Sequence, residues 1–597
     1  MSLAETMDAL NADVLKSLAK RLGVARTLTR KADLIQTMEH YIDTNLEAFL
    51  GKLSDSERLF LAEAAYHGGR VSPRVFQAKH RVSSPRTSRW IDSRAASPIH
   101  LLLQESESSG EAIIPKELAQ RLRPLLPKPP ESTVTTVDEI PATLDPGKKG
   151  PYYGDEPRPI HVFDAGKTTF AELRRVLNLV QAGKVRIQDK SRRPTDSSAR
   201  LLATALVVPD FDLELPEKDR DKYTETVGPV RAHAWAVLAQ QCGWAKPHGS
   251  HLALTKAGKG LLGDLSPGPF REGFQRFLGD DEFDELNRIN HIRGQSGKAK
   301  RHMTHPSERR EAICDSMARW PVGRWIPFDE AFRFVAASGH HLDVIDEYAV
   351  YLYIAELQYG HLGNAGDEIE RQYLRVFLME SMTTLGMVDA AYVYPQRLWP
   401  ELSGSWGTDD LEFCGRYDGL LYVRLSSLGA YCLGVTDTYE PPATEQRRLL
   451  KVLANRELAV AGGAELTPAD RGTLELFARQ TGDHLWGLDS QRILDYVESG
   501  GSVEDVTWFL TQNTGEEIPH TVEVFLNDLA GRLNAVRDTE RAILIEMKDA
   551  ETAARVAHDR QTKSLCRPAG GEYLVVPEKN EQAFRAAVKK LGYVLPR

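Results

Sequence analysis

Most of the chain repeats its apolar residues every three or four positions, and short apolar runs of strand length interrupt that helical rhythm. Near the start, Ala12–Leu22 sets Val14, Leu15, Leu18 and Leu22 on one face and Lys16, Lys20 and Arg21 on another. This predicts an amphipathic helix closed by Gly23. The pattern restarts at Thr29-Arg30-Lys31-Ala32-Asp33-Leu34-Ile35, giving a helical hairpin over residues 1–50. Helices at Glu57–Tyr66 and Ser72–His80, an apolar strand at Ile99–Leu103 and the run Ala112-Ile113-Ile114 predict a second unit over 51–123. Prolines from Pro124 to Pro159 forbid long regular elements, so 124–162 reads as a linker.

Beyond the linker a grammar recurs: a helix, then Gly-(Trp/Met)-(Ala/Val), a strand, and finally Leu-(Thr/Ser)-x-x-Gly. It is written once as Gly243-Trp244-Ala245 with Leu254-Thr255-Lys256-Ala257-Gly258. It returns as Gly386-Met387-Val388 with Leu425-Ser426-Ser427-Leu428-Gly429. Helices running into an apolar hairpin are the pattern of a winged helix, which makes 51–123, 229–310 and 311–437 winged-helix-like. Residues 163–228, with the strand Gly183-Lys184-Val185-Arg186-Ile187, form a further wing-like α/β unit.

In the last quarter the strand His484–Leu488 ends at Asp489, an N-cap for a helix from Ser490, and Ser502-Val503-Glu504-Asp505 starts another as a capping box. Strand, helix, strand and helix follow at Ala542–Ile545, Glu551–His558, Tyr573–Val576 and Glu581–Leu591. This order, with Leu476-Phe477-Ala478, Trp486-Gly487-Leu488-Asp489-Ser490, Gly501-Ser502-Val503-Glu504-Asp505-Val506, Phe509-Leu510, Glu517-Ile518-Pro519-His520-Thr521-Val522 and Leu591-Gly592-Tyr593, resembles the XPB/helicase-associated domain. The resemblance covers 448–597 and implies a DNA-facing or helicase-facing module without chemistry of its own. At the other end, Leu15-Lys16, Leu22-Gly23-Val24 and Thr29–Ile35 resemble a SAP-type helix–bend–helix, a small DNA-binding element, but lack that family's glycine-then-threonine bend. An ordinary helical hairpin with a solvated basic face fits the same residues. The expected architecture is therefore α+β and multi-domain: mostly helical, with several winged-helix units and a small C-terminal α/β domain.

Composition adds limits. A net charge of -9 argues against a generic polyanion binder, so any nucleic-acid surface must be local. Residues 1–130 carry 19 Lys+Arg against 15 Asp+Glu, whereas 450–597 carry 18 against 23. The candidate phosphate contacts are Lys16, Lys20, Arg21, Arg30, Lys31, Arg86 and Arg89, together with Arg293, Lys298, Lys300 and Arg301. The last four lie in a polar stretch, 290–310, which reads as an exposed loop and also holds Arg309 and Arg310. Five scattered cysteines contain no CxxC pair, which argues against disulfides and zinc ribbons. No apolar run is long enough for a membrane span and Met1–Glu5 has no basic n-region, so a cytoplasmic protein is expected.

A motor would need GxxxxGK[ST], and Gly294-Gln295-Ser296-Gly297-Lys298-Ala299 has the wrong spacing. Asp210, Asp212 and Glu214 alternate as a divalent-ion site would, but Pro209 and Pro216 bracket them as a loop. Asp280–Glu285 reads as an acidic helix start. No catalytic residue, metal or cofactor is expected. The sequence thus points to a non-catalytic subunit that binds double-stranded DNA for a helicase or nuclease supplied in trans, in repair or anti-phage defence. The alternative is a protein–protein scaffold whose winged helices bridge subunits without touching DNA; a cryptic nuclease at Asp210 is a weak third.

Overall fold

The computed structural model describes residues 2–595 except 25–27, 29, 88–90, 107–109, 146–156, 212–224, 296–302, 341, 345–351, 356–361, 363–365, 397, 399–406, 409–410, 440–447, 467, 499–500 and 534–540. It is a multi-domain α+β protein, mostly helical with several small sheets. It divides into two compact units, Met1–Lys451 with Ala459–Glu516, and Val452–Leu458 with Glu517–Arg597. No helix among the described residues is long and apolar enough to cross a membrane.

The first unit opens on helices Leu3–Asp8, Ala12–Leu22 and Lys31–Thr44. The predicted face is the buried one, with Val14, Leu15 and Leu18 inside, and Gly23 closes its helix in the left-handed region at φ +78°. Three rounds of one element order follow. Each runs helix, strand, helix, helix, strand, strand, with isolated bridges for the first strand in the second round and the two-residue strand Tyr353–Ile354 inserted in the third, and each last strand lies between the other two. The first round is Asp55–Tyr66, Arg70–Val71, Pro73–His80, Pro98–Leu101, Gln104–Glu105 and Ala112–Ile113, with the third strand central. Its Pro98–Leu101 is a 3-10 turn where the sequence predicted a strand from Ile99; an apolar run this short is compatible with either once it is buried on all sides.

The second round joins stretches that the sequence divided at residue 228. It comprises Thr169–Gln181, residues 185–187, Asp196–Ala205, Arg231–Gln241, Ala245–His248 and His251–Leu254; residues 185–187 join the hairpin through Arg186 opposite His251. The third is Pro306–Met317, Trp325–Pro327, Phe328–Ala337, Gly366–Val376, Val388–Tyr392 and Leu420–Leu425, with His161–Phe163 added at the sheet's far edge.

The recurring grammar now has a physical cause. After the last strand, Thr255 caps the next helix by accepting from Gly258 N–H at 3.1 Å, and its hydroxyl donates to the Gly243 carbonyl at 2.6 Å. Ser426 does the same with Gly429 at 2.9 Å and the Gly386 carbonyl at 2.6 Å. A Cβ on Gly258 would lie 2.0 Å from the Trp244 carbonyl oxygen, and one on Gly429 would lie 2.1 Å from that of Met387. Only glycine lets the helix approach the hairpin so closely.

The proline-rich stretch is docked over part of its length. Val137 pairs with Trp325, Thr135 N–H donates to Glu330 at 2.7 Å, and Arg333 donates to the Thr133 carbonyl at 2.9 Å.

Helices Ser490–Glu498 and Val503–Thr514 start from the predicted caps: Asp489 accepts from Gln491 and Arg492, and Ser502 with Asp505 forms a capping box. Both belong to the first unit, where Arg175 reaches Asp505 at 3.6 Å and lies over the Tyr496 ring. The boundary between units thus falls inside 448–597. In the second unit, strands Ala542–Glu546, Tyr573–Pro577 and Arg567–Pro568 form one sheet with Tyr573–Pro577 central, and Ile545, Leu574 and Val576 pack with Val556, Phe584 and Val588 from helices Ala550–His558 and Glu581–Lys590.

Candidate nucleic-acid interface

The N-terminal cations meet different fates. Arg21 donates to the carbonyls of Arg94, at 2.9 Å, and of Ala96, fastening its helix to the neighbouring unit. Lys31 sits 3.0 Å from the Asp8 carboxylate, and Lys16 3.7 Å from Asp13. Lys20 and Arg30 are exposed. Arg86 is exposed too, at a hollow lined by Ser54, Ser56, Ser83, Ser84 and Ser97. Arg293 is exposed on a two-residue strand opposite Tyr353. Arg89, Lys298, Lys300 and Arg301 lie outside the described residues.

The stretch 290–310 is not one exposed loop. Helix Pro306–Met317 begins within it, and Arg309 and Arg310 are 1% and 0% exposed. Arg309 holds Asp284 with two bonds of 3.0 and 2.9 Å. Arg310 holds Glu285 at 2.7 and 3.1 Å and donates to the carbonyls of Phe277 and Phe283. Asp280–Glu285 does start a helix, the short 3-10 turn Glu285–Arg288 that Asp284 caps by accepting from Leu286 N–H at 2.9 Å, and it also supplies the counter-charges for this buried pair.

The third helices of the second and third rounds are interior. Along Arg231–Gln241, Arg231, Ala232, Ala234, Trp235, Ala236 and Leu238 are buried, and Gly366–Val376 is buried from Ile369 onward apart from a half-buried Arg371. The former is capped by Asp210, whose carboxylate accepts from the N–H groups of Val230, Arg231 and Ala232 at 3.0, 2.8 and 3.1 Å. Asp210 is therefore committed to a helix terminus; Asp212 and Glu214 lie outside the described residues.

A cationic surface that the sequence reading missed lies on the middle round's hairpin. Ala245, Leu252, Leu254, Val185 and Ile187 are buried beneath the small sheet. Because side chains alternate across a strand, the other face carries Lys246, His248, His251, Ala253 and Arg186. His248 and Arg186 both stand opposite His251, and Lys246 stands opposite Ala253. Lys246, His248 and Arg186 are exposed, and none of the described residues paired in this sheet is acidic. Period-2 alternation in 245–254 was the available signal, but Arg186 joins from about 60 residues upstream.

Behind this round is a buried ionic cluster. Glu380, on the π-helical turn Phe377–Met382, accepts twice from Arg288 Nε at 2.9 Å and once from the Tyr417 hydroxyl. Burial opposes ionisation, yet Arg288 and then His233 outweigh it and hold the Glu380 carboxyl far below the usual carboxylate range. Burial, with Arg288 second, pushes His233 down from 6.5 to about 4. Between those values an unfolded chain binds a proton at His233 that the folded chain refuses, so stability must fall as pH drops from 6.5 towards 4. The expected slope is up to about 1.4 kcal/mol per pH unit. Urea melts between pH 6.5 and 5 should show a shallower dependence for His233→Gln; equal slopes would refute this assignment. No protein-family model matches the chain, and no curated protein is detectably similar to it in sequence.

Proposed function

We propose that this chain is a non-catalytic accessory subunit that engages the backbone of double-stranded DNA for a helicase or nuclease carried by another chain. The observation that carries the reading is the cationic sheet face of Arg186, Lys246, His248 and His251. Each of the three rounds has the order of a winged helix, and this face is the wing of the middle one. With the third helices of the second and third rounds buried, contact would be made to phosphates and not to base edges, so binding would be tolerant of sequence. The C-terminal likeness to the XPB-type accessory domain supports a partnership with a motor, in repair or in defence against foreign DNA.

Fluorescence anisotropy with several unrelated duplexes tests this. Affinities within a few-fold of one another, all falling steeply with added salt, are expected, with no DNA-stimulated ATP hydrolysis by the purified chain. The scaffold reading is favoured by the same buried helices, since winged helices so enclosed serve to hold the body together. Absence of duplex binding even at about 50 mM salt would decide for it.

A further inference from the structure

Between the helix Arg231–Gln241 and the π-helical turn Phe377–Met382 lies a small pocket of about 30 Å³ lined by Arg193, His233, Gln241, Asp284, Glu285, Arg288, Glu380 and Ser381, among others. It has room for about two waters, or for one small oxyanion. Its three carboxylates are already engaged. Glu380 is bound by Arg288 and Tyr417, Asp284 by both arms of Arg309, and Glu285 by Arg310 and the Tyr373 hydroxyl.

Two groups on the wall are left over. The Arg193 guanidinium, half-buried, makes no hydrogen bond or ion pair among the described residues, and His233 Nδ1 is buried without a hydrogen bond, 3.8 Å from Glu380. Arg193 closes the turn that follows the bridged residues 186–187, with Gln188 N–H donating to the Arg193 carbonyl at 2.9 Å. Its neighbour Arg192 is paired with Glu282, so the turn has spent one arginine on an acid and aimed the other at the pocket. The wider π-helical turn brings the sequence neighbours Glu380 and Ser381 to the same wall.

A half-buried guanidinium that shares a pocket with a second, and whose neighbouring carboxylates on that wall are all engaged, is an arrangement that an anion completes. We propose that this pocket binds a phosphate-type oxyanion, held by the Arg193 fork beside Arg288, with His233 Nδ1 and the Ser381 side chain on the remaining wall. Burial and the Arg288 charge both lower the Arg193 pKa, as expected for a cation short of its counter-ion. The cavity is too small for a sugar or a base, so only the oxyanion enters. Its source is either free phosphate or the terminal phosphate of a nucleic-acid strand. The inference does not rest on DNA contact at the sheet face, which lies on other residues.

The test uses the full chain and inorganic phosphate. The phosphorus resonance of millimolar phosphate should broaden on addition of wild-type protein. The thermal midpoint should rise by about 2 °C in phosphate over chloride at equal ionic strength. Arg193→Gln should abolish both effects while keeping its circular dichroism, and Arg192→Gln should keep them. Displacement of phosphate by a 5′-phosphorylated oligonucleotide, but not by its 5′-hydroxyl twin, assigns the oxyanion to a strand end; displacement by neither assigns it to free phosphate. No broadening with wild type, or an equal response from Arg193→Gln, overturns the proposal.

Discussion

Duplex DNA should bind about 60-fold more weakly at 0.1 M salt when Arg186→Gln and Lys246→Gln are combined, and the log–log salt slope should become shallower by about 1.8. Each neutralised phosphate releases about 0.9 of a condensed counter-ion. Relative to 1 M salt, where that release contributes nothing, one contact is therefore worth a factor of about 8 at 0.1 M, and two about 60. Both side chains are exposed and neither makes an ion pair among the described residues, so the double variant should unfold within about 0.5 kcal/mol of wild type. The matching pair on the N-terminal hairpin, Lys20→Gln with Arg30→Gln, serves as the comparison, because among the described residues both are exposed and neither makes an ion pair. A loss confined to the second pair would move the interface to the N-terminal helices; an unchanged slope in both would remove these two pairs from DNA binding and leave Arg86 and Arg293 as the next exposed cations to replace. Anisotropy titrations from 0.05 to about 0.3 M salt resolve slope differences of this size.

Features carried by neighbours in sequence were legible in it, and those carried by distant residues were not. Gly23, Asp489 and the Ser502–Asp505 box announce helix ends because a cap and its acceptor or donor lie within four residues of each other. The cap in the Leu-(Thr/Ser)-x-x-Gly signature was readable for the same reason, while its ties to the hairpin reach distant carbonyls and showed only through the repetition of the pattern. One hydroxyl both starts a helix and ties it to the hairpin, and one missing Cβ lets that helix sit against a carbonyl. Whether Arg231–Gln241 faces solvent, by contrast, depends on packing against the 366–385 region and on Pro267–Leu278, elements far along the chain. Its sequence, rich in alanine and with Trp235 and Leu238, did hint at burial on more than one side. The cationic sheet face was hidden by chain distance, since its strands are separated by two helices. The stretch 290–310 misled because its charge was counted apart from the acids of 280–285, which neutralise Arg309 and Arg310 only once the chain has folded.

Arg310 makes that last point measurable. If it were a surface cation, Arg310→Ala would leave stability nearly unchanged and reduce the salt slope of DNA binding. The structure predicts the reverse. Its guanidinium is fully enclosed and donates to Glu285 and to the carbonyls of Phe277, Asp280 and Phe283, over the Phe277 ring. Removing it strands the 7% exposed Glu285 carboxylate, with only the Tyr373 hydroxyl and no cation in direct contact among the described residues, and takes a donor from three carbonyls, of which Phe277 alone keeps a backbone N–H, that of Asp280 at 3.2 Å. A buried ion pair broken from one side costs about 3–5 kcal/mol. Urea unfolding of Arg310→Ala should show a loss in that range, with a salt slope equal to wild type at concentrations where the variant is folded. Removing both charges, as Arg310→Met with Glu285→Met, should cost less than the sum of the single changes, because neither charge is then left alone in the interior. A single-variant loss below about 1 kcal/mol, or strict additivity in the double variant, would show that the pair is solvated and that Arg310 is available to a phosphate after all.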